Sequence, residues 1–233
     1  MQIMIRNNKL LSFLVVILIA AGTGGCSWFG ETTEPINEAY ESGKKALSEG
    51  KYEEAKTHFR EIVPSSPFYP QAVVMIQKVP FKKGVAAFEQ KKYKLVLIDL
   101  SKVPVHSPDY TEAQRYLNLA NYNLLLEHFQ QSTDKDRFIL IQKLVNISNE
   151  LAESKLLLDS LDLIKTGLDA SSSRKQTRDL INLLGSVVAL NKAPEVQQKA
   201  LNYLLTDFEQ FYDQTEIRPD VLQIIGTLKM ELM

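Results

Sequence analysis

The side chains of this 233-residue chain best suited to nucleophilic, acid–base or metal chemistry are one cysteine, Cys26, and three histidines. We expect His58 and His128 to face solvent from helices and His106 to lie in a turn between helices. No glycine-rich phosphate loop, His-Glu-x-x-His zinc motif or Gly-x-Ser-x-Gly elbow occurs in the sequence. We therefore predict that the protein is not an enzyme and that it holds no metal and no cofactor.

Cys26 follows a segment built like a secretion signal. Basic residues begin this segment, an apolar run covers residues 10–21, and two glycines lead into the cysteine. The run is shorter than the roughly 20 apolar residues that a membrane-spanning helix needs. Because the chain has no second cysteine, Cys26 has no partner for an intramolecular disulfide. The sequence therefore favours modification of the Cys26 sulfur.

The pattern resembles the bacterial lipoprotein signal, in which a peptidase cuts before the cysteine and the sulfur carries a diacylglycerol. The resemblance implies that residues 1–25 are a signal peptide, that Cys26 is the lipidated N-terminus, and that 26–35 form a tether. By the same resemblance, Ser27 after the cysteine permits transport to the outer membrane, and we expect an outer-membrane lipoprotein that faces the periplasm. A plain secretory signal and an N-terminal membrane helix remain the alternatives.

The charge balance argues against nucleic acid as a partner. The chain has 27 basic and 28 acidic residues, and loss of residues 1–25 would remove Arg6 and Lys9. A nucleic-acid-binding protein is expected to show a basic stripe or a high isoelectric point, and neither is present. We expect neither nucleic acid nor a small-molecule substrate to bind.

An internal repeat of 41 residues occupies the first half of the chain. Five residues recur in one register: Gly43, Tyr52, Pro67, Tyr69 and Ala72 return as Gly84, Tyr93, Pro108, Tyr110 and Ala113. Fixed periods of this length are typical of stacked helical repeats.

Within each unit, a glycine is followed by a small or branched residue, a bulky residue and a proline at intervals of 12, 4 and 8. The spacing resembles the tetratricopeptide repeat, with residues Gly43, Ala55, Phe59 and Pro67 in the first unit and Gly84, Val96, Leu100 and Pro108 in the second. The small residues are expected to let two helices approach, the bulky residue to fill the groove between them, and the proline to end the second helix. The resemblance implies an all-α fold of helical hairpins stacked as a right-handed solenoid over residues 36–131.

The sequence predicts helices at 36–49, 52–63, 70–90 with a break near Pro80, 93–103 and 110–131. Apolar residues three and four apart predict further helices over 132–233, where Pro194 and Arg218 mark two helix starts. The helix from Pro194 is expected to run about 20 residues to Tyr212. This C-terminal half either continues the stack or forms a capping bundle.

The combination of lipid signal, tether and hairpins is similar to the lipoprotein subunit of the outer-membrane β-barrel assembly machine. It implies a membrane-anchored scaffold that binds other envelope proteins through the concave face of the repeats. Tyr69, Tyr93 and Tyr110 are candidate partner contacts, although such tyrosines more often pack inside a fold. The alternatives are a pilotin-like lipoprotein, an envelope enzyme, and a structural lipoprotein without a specific partner.

Overall fold

A computed structural model describes residues 37–171, 173–190, 193–207 and 218–233, and these residues contain helices and no strand. The predicted all-α class is confirmed. Residues 1–25, Cys26 and the tether at 26–35 lie outside the described residues. The helices are α1 Glu38–Ser48, α2 Tyr52–Arg60, α3 Tyr69–Glu89, α4 Tyr93–Leu100, α5 Tyr110–Gln131, α6 Asp134–Leu151, α7 Ser154–Asp169, α8 Arg174–Leu190, α9 Pro194–Asn202 and α10 Arg218–Glu231.

The turn inside each hairpin follows the same local rule in both repeat units. Gly50 has a φ of 74°, and Lys91, one repeat later, has a φ of 57°. After each, a backbone N–H bonds back to a carbonyl of the preceding helix, Lys51 to Ala46 and Lys92 to Ala87, both at 2.9 Å. Left-handed residues of this kind end helices because they turn the chain out of the helical path. The sequence places glycine at this position in only one unit.

The second helix of each unit ends earlier than the sequence predicts. α2 ends at Arg60 and α4 at Leu100, because Ile62 and Val103 turn inward and join the core in non-helical backbone. Pro67 and Pro108 lie well beyond these ends, and both are exposed. The prolines therefore lie in the connecting turns and do not end α2 and α4 directly.

Those connecting turns are stabilised by a serine in each unit. The Ser66 hydroxyl accepts a hydrogen bond from the Phe68 N–H, and the Ser107 hydroxyl accepts one from the Asp109 N–H, each at 3.2 Å. Serine hydroxyls commonly bond to a backbone N–H two residues on, which stabilises a turn.

Helix α3 runs through Pro80 without the break that the sequence predicts. Proline removes one backbone hydrogen bond from a helix interior. The packing of α2, α4 and α5 against α3 offsets this loss and keeps the helix continuous.

Each helix from α1 to α8 packs against the next one in the sequence, and so do α8 with α9 and α9 with α10. Packing against a next-but-one neighbour occurs once before α6, between α3 and α5, and then for each of α6, α7 and α8, with α8, α9 and α10 respectively. Packing between helices that are not sequence neighbours is therefore more frequent in the C-terminal half than in the N-terminal half. No helix in the described ranges is both long enough and apolar enough to cross a membrane.

The helix predicted to run from Pro194 to Tyr212 begins at Pro194 in the structure, and its predicted end falls outside the described residues. α9 ends at Asn202 and continues as a single π-helical turn over Tyr203–Asp207. Tyr212 lies outside the described residues.

Candidate interaction surface

The two hairpins bring the repeat residues of the sequence together in pairs. A Cβ added to Gly43 would lie 2.6 Å from Phe59 Cε1, and one added to Gly84 would lie 2.2 Å from Leu100 Cδ2. These distances are too short for any side chain larger than hydrogen. Ala55 and Val96 are fully buried beside these contacts. The glycines therefore allow the bulky residue of the second helix to fill the hairpin.

The pairing gives α2 and α4 the same orientation within their units, so that equivalent positions are exposed in both. On α2 these positions are occupied by Glu53, Glu54, Thr57 and Glu61, and on α4 and its end by Lys94, Leu95, Ile98 and Lys102. We call the second set the α4 face. Leu95 is 46% exposed and Ile98 is 53% exposed. The first unit thus presents an acidic surface where the second presents a basic and apolar one.

A groove of about 250 Å³ adjoins the α4 face. Its walls are formed by Lys91, Lys92, Tyr93, Lys94 and Leu95, with Leu124 and Glu127 of α5 opposite. The groove therefore combines apolar walls with three ammonium groups and one carboxylate.

Beneath the α4 face, Asp99 is buried to 5% exposure and lies between two lysines. Lys102 Nζ is 3.5 Å and Lys83 Nζ is 3.7 Å from Asp99 Oδ1. Lys83 also bonds to Glu53 of α2 at 3.0 Å. This bond lowers the pKa of Glu53 and raises the pKa of Lys83. The lysine therefore joins α2, α3 and α4 electrostatically.

No ring contact in the described part of the chain links the three candidate tyrosines to one another. Tyr69 and Tyr110 each begin a helix, and Tyr69 is 36% exposed. The Tyr93 ring packs edge-on against Phe88 at 5.7 Å, and Phe88 lies 5.1 Å from the Tyr116 ring. Tyr93 therefore packs between helices while its edge lines the groove beside α4.

The histidines are as scattered in space as in sequence. His58 lies on α2 between Glu54 at 3.8 Å and Glu61 at 3.5 Å, with its side chain 29% exposed. His106 is exposed in the turn before α5, and His128 is exposed near the end of α5. Within the part of the chain that the structure describes, no three His, Cys, Asp or Glu side chains are placed to hold a metal ion.

One polar cluster in the C-terminal half could not be found from the sequence. Lys199 of α9 lies 2.7 Å from Asp162 of α7, and the Tyr203 hydroxyl donates a hydrogen bond to the same carboxylate. Burial raises the pKa of Asp162, but the bonds from Lys199 and Tyr203 outweigh it, so that the net effect is a lowered pKa. The residues are about 40 positions apart, and no local motif links them.

Comparisons with protein-family models, with curated proteins and with solved structures found no match to this chain. The exposed side chains of the α4 face differ in charge and polarity from those at the equivalent positions of α2. This difference makes the α4 face the candidate interaction surface.

Proposed function

We propose that this protein is a lipid-anchored scaffold of the bacterial cell envelope, whose helical hairpins bind other envelope proteins. The observation that carries the proposal is the cysteine at position 26 after a secretion-like segment with a glycine pair before it. Two or more acyl chains on such a cysteine would hold the protein stably at a membrane surface. The helical part would then be presented to the periplasm at the outer membrane.

The fold supports the scaffold role through its repeated hairpins. The contacts of Gly43 with Phe59 and of Gly84 with Leu100 match the small-to-bulky packing expected of tetratricopeptide-like units. We propose that α1 to α5 stack as a right-handed solenoid of this type. Stacked helical repeats typically serve as extended binding surfaces for proteins.

The anchor is tested by comparing the wild-type protein with Cys26→Ala in a bacterial host with an intact lipoprotein pathway. The expected wild-type mass is that of a chain beginning at residue 26 with acyl groups attached, and the protein is expected in the membrane fraction. The variant is expected to lack the acyl mass and to remain uncleaved or leave the membrane. If both proteins fractionate alike without lipid, the anchor is wrong.

The scaffold role is tested by purifying the lipidated protein under mild detergent after cross-linking in cells. By its resemblance to the assembly-machine lipoprotein, we expect a β-barrel assembly partner among the cross-linked proteins. Recovery of the protein alone, at a yield where a control lipoprotein retains its own partner, would contradict the scaffold role.

A further inference from the structure

We propose that the α4 face and its groove bind an acidic amphipathic segment of a partner protein, an inference that rests on the proposed role in protein interaction. The ligand chemistry is a helix or extended peptide with apolar residues on one side and Asp or Glu beside them. Lys91 and Lys94 contact the carboxylates, and Leu95 and Ile98 contact the apolar residues.

The repeat supplies evidence that the fold does not require the apolar residues of this face. At the positions of Leu95 and Ile98, the first unit carries Glu54 and Thr57, which are exposed on α2 in the same way. A hairpin with the same internal packing is therefore built with polar residues there. Leu95 and Ile98 lie one helical turn apart, so they form one continuous apolar strip.

The positive charge around the α4 face favours an acidic partner. Residues 78–102 contain seven lysines and two acidic residues, in a chain with a net charge of −1. Lys102 is close to Asp99, whereas Lys91 and Lys94 form no ion pair among the described residues. These two lysines leave positive charge beside the apolar strip, and an acidic partner would neutralise it.

The groove favours a polypeptide over the two other possible occupants. The groove has a volume of about 250 Å³, which is enough for a side chain of a bound peptide. A surface of lipid headgroups has no side chain to insert there. A second copy could offer its acidic α2 surface, but Glu53, Glu54 and Thr57 provide no apolar side chain to cover Leu95 and Ile98. A segment that carries both acidic and apolar residues matches both properties of the face.

The test uses the full chain, purified in mild detergent from whole-cell lysate, and a fluorescent 14-residue peptide with Leu at positions three and four apart and Glu at the others. A peptide with Gln in place of Glu is the charge control. We expect binding to raise the fluorescence anisotropy of the acidic peptide, and we expect the affinity to fall as the salt concentration increases. The Gln peptide is expected to bind at least tenfold more weakly.

The decisive variant replaces the apolar strip by the residues of the first unit, Leu95→Glu with Ile98→Thr. It is expected to weaken peptide binding at least tenfold, whereas Glu54→Gln with Thr57→Ser on α2 leaves the affinity unchanged. Circular dichroism checks that both variants fold. If the first variant unfolds, Lys91→Glu with Lys94→Glu tests the same face through its charge.

Four outcomes overturn the proposal. The first is equal affinity of wild type and folded variant for the acidic peptide, and the second is no binding of that peptide at all. The third is binding to vesicles of anionic lipid that the variant loses while no peptide binds. The fourth is self-association in sedimentation that depends on Leu95 and Ile98. Failure of Cys26 lipidation leaves this assay readable, so the anchor and the docking face are tested separately.

Discussion

Gly43 controls how closely α1 approaches α2. A methyl group there would overlap the Phe59 ring, with its nearest carbon at 2.6 Å. Since Phe59 is buried to 1% exposure, its ring cannot move without disturbing the core. We expect Gly43→Ala to lower the free energy of unfolding by about 1–3 kcal/mol, as overpacked core substitutions do. Urea denaturation followed by circular dichroism measures the change.

Gly226 is the matched control for Gly43. It lies inside α10, is exposed, and has no atom within 4 Å of an added Cβ. Because alanine is the better helix former, Gly226→Ala is expected to stabilise the protein by up to about 1 kcal/mol. Stabilisation by both substitutions would show that the hairpin can open to accept a methyl group at Gly43.

Tyr122 makes the stability of the protein sensitive to alkaline pH. Its side chain is buried between α5 and its neighbours, and burial raises the pKa of its hydroxyl from 10.0 to about 12. Ser148 lies near enough to lower the pKa slightly, but the hydroxyl makes no hydrogen bond of normal geometry among the described residues. Ionisation therefore occurs more readily in the unfolded chain than in the folded one.

The stability that Tyr122 contributes is fully present below pH 10 and is lost as the pH rises toward 12. A gap of about two pKa units corresponds to a loss on the order of 1 kcal/mol at pH 11. Tyr122→Phe removes this loss and is expected to be nearly neutral at pH 7, since it removes a buried hydroxyl without a partner. Urea midpoints of both proteins between pH 8 and 11 measure the difference, and parallel curves would contradict it.

Helices α2, α3 and α4 are connected through Lys83. Its ammonium lies near two carboxylates of different burial, those of the exposed Glu53 and the buried Asp99. An exposed ion pair contributes little, whereas a buried carboxylate that loses a cation is destabilised. We expect Lys83→Met to cost about 1–2 kcal/mol, a moderate value because Lys102 remains beside Asp99.

Double-mutant cycles separate the two contributions of Lys83. The coupling with Asp99→Asn is expected to exceed about 0.5 kcal/mol, and the coupling with Glu53→Gln to fall below it. Lys82→Met is the control, because Lys82 is an exposed neighbour on the same helix. Larger coupling with Glu53 than with Asp99 would reverse this assignment.

The helices that could be predicted from the sequence are those whose apolar spacing is regular. α5 begins and ends where its pattern does, at Tyr110 and Gln131. The ends of α2 and α4 were predicted three residues too late, because Ile62 and Val103 continue the apolar spacing although they are buried in non-helical backbone. The break predicted at Pro80 does not occur, because tertiary packing outweighs the effect of a local helix-breaking residue.

The candidate surface was only partly predictable. The register of 41 residues pairs Leu95 with Glu54 in the sequence, but only the burial pattern shows that both are exposed. Tyr93 is a candidate partner contact from the sequence, which also allows a packing role, and its ring packs against Phe88. The contact of Lys199 with Asp162 depends on how α7 and α9 cross, and no spacing in the sequence encodes that.

The whole molecule contains apolar cores of unequal size. The described residues of the core around α6 to α10 include 20 buried apolar side chains, most of them Leu, Ile or Val. The core between α1, α2 and the start of α3 includes five, of which three are alanine. Buried apolar area determines most of the stability, and helices that pack mainly on their sequence neighbours can unfold locally. The N-terminal hairpin is therefore expected to open more readily than the C-terminal half.

Hydrogen exchange with Phe59→Ala and Leu161→Ala measures whether the two regions unfold separately. Both residues are fully packed in their cores, and each substitution is expected to cost about 3 kcal/mol, or roughly 100-fold faster opening. Phe59→Ala is expected to accelerate exchange over residues 37–72 and to leave α7 and α8 unchanged. Leu161→Ala is expected to accelerate exchange throughout α6 to α9. If Phe59→Ala accelerated exchange equally in both regions, the described helices would form one cooperative unit, and the hairpin of α1 and α2 could not open independently of the C-terminal half.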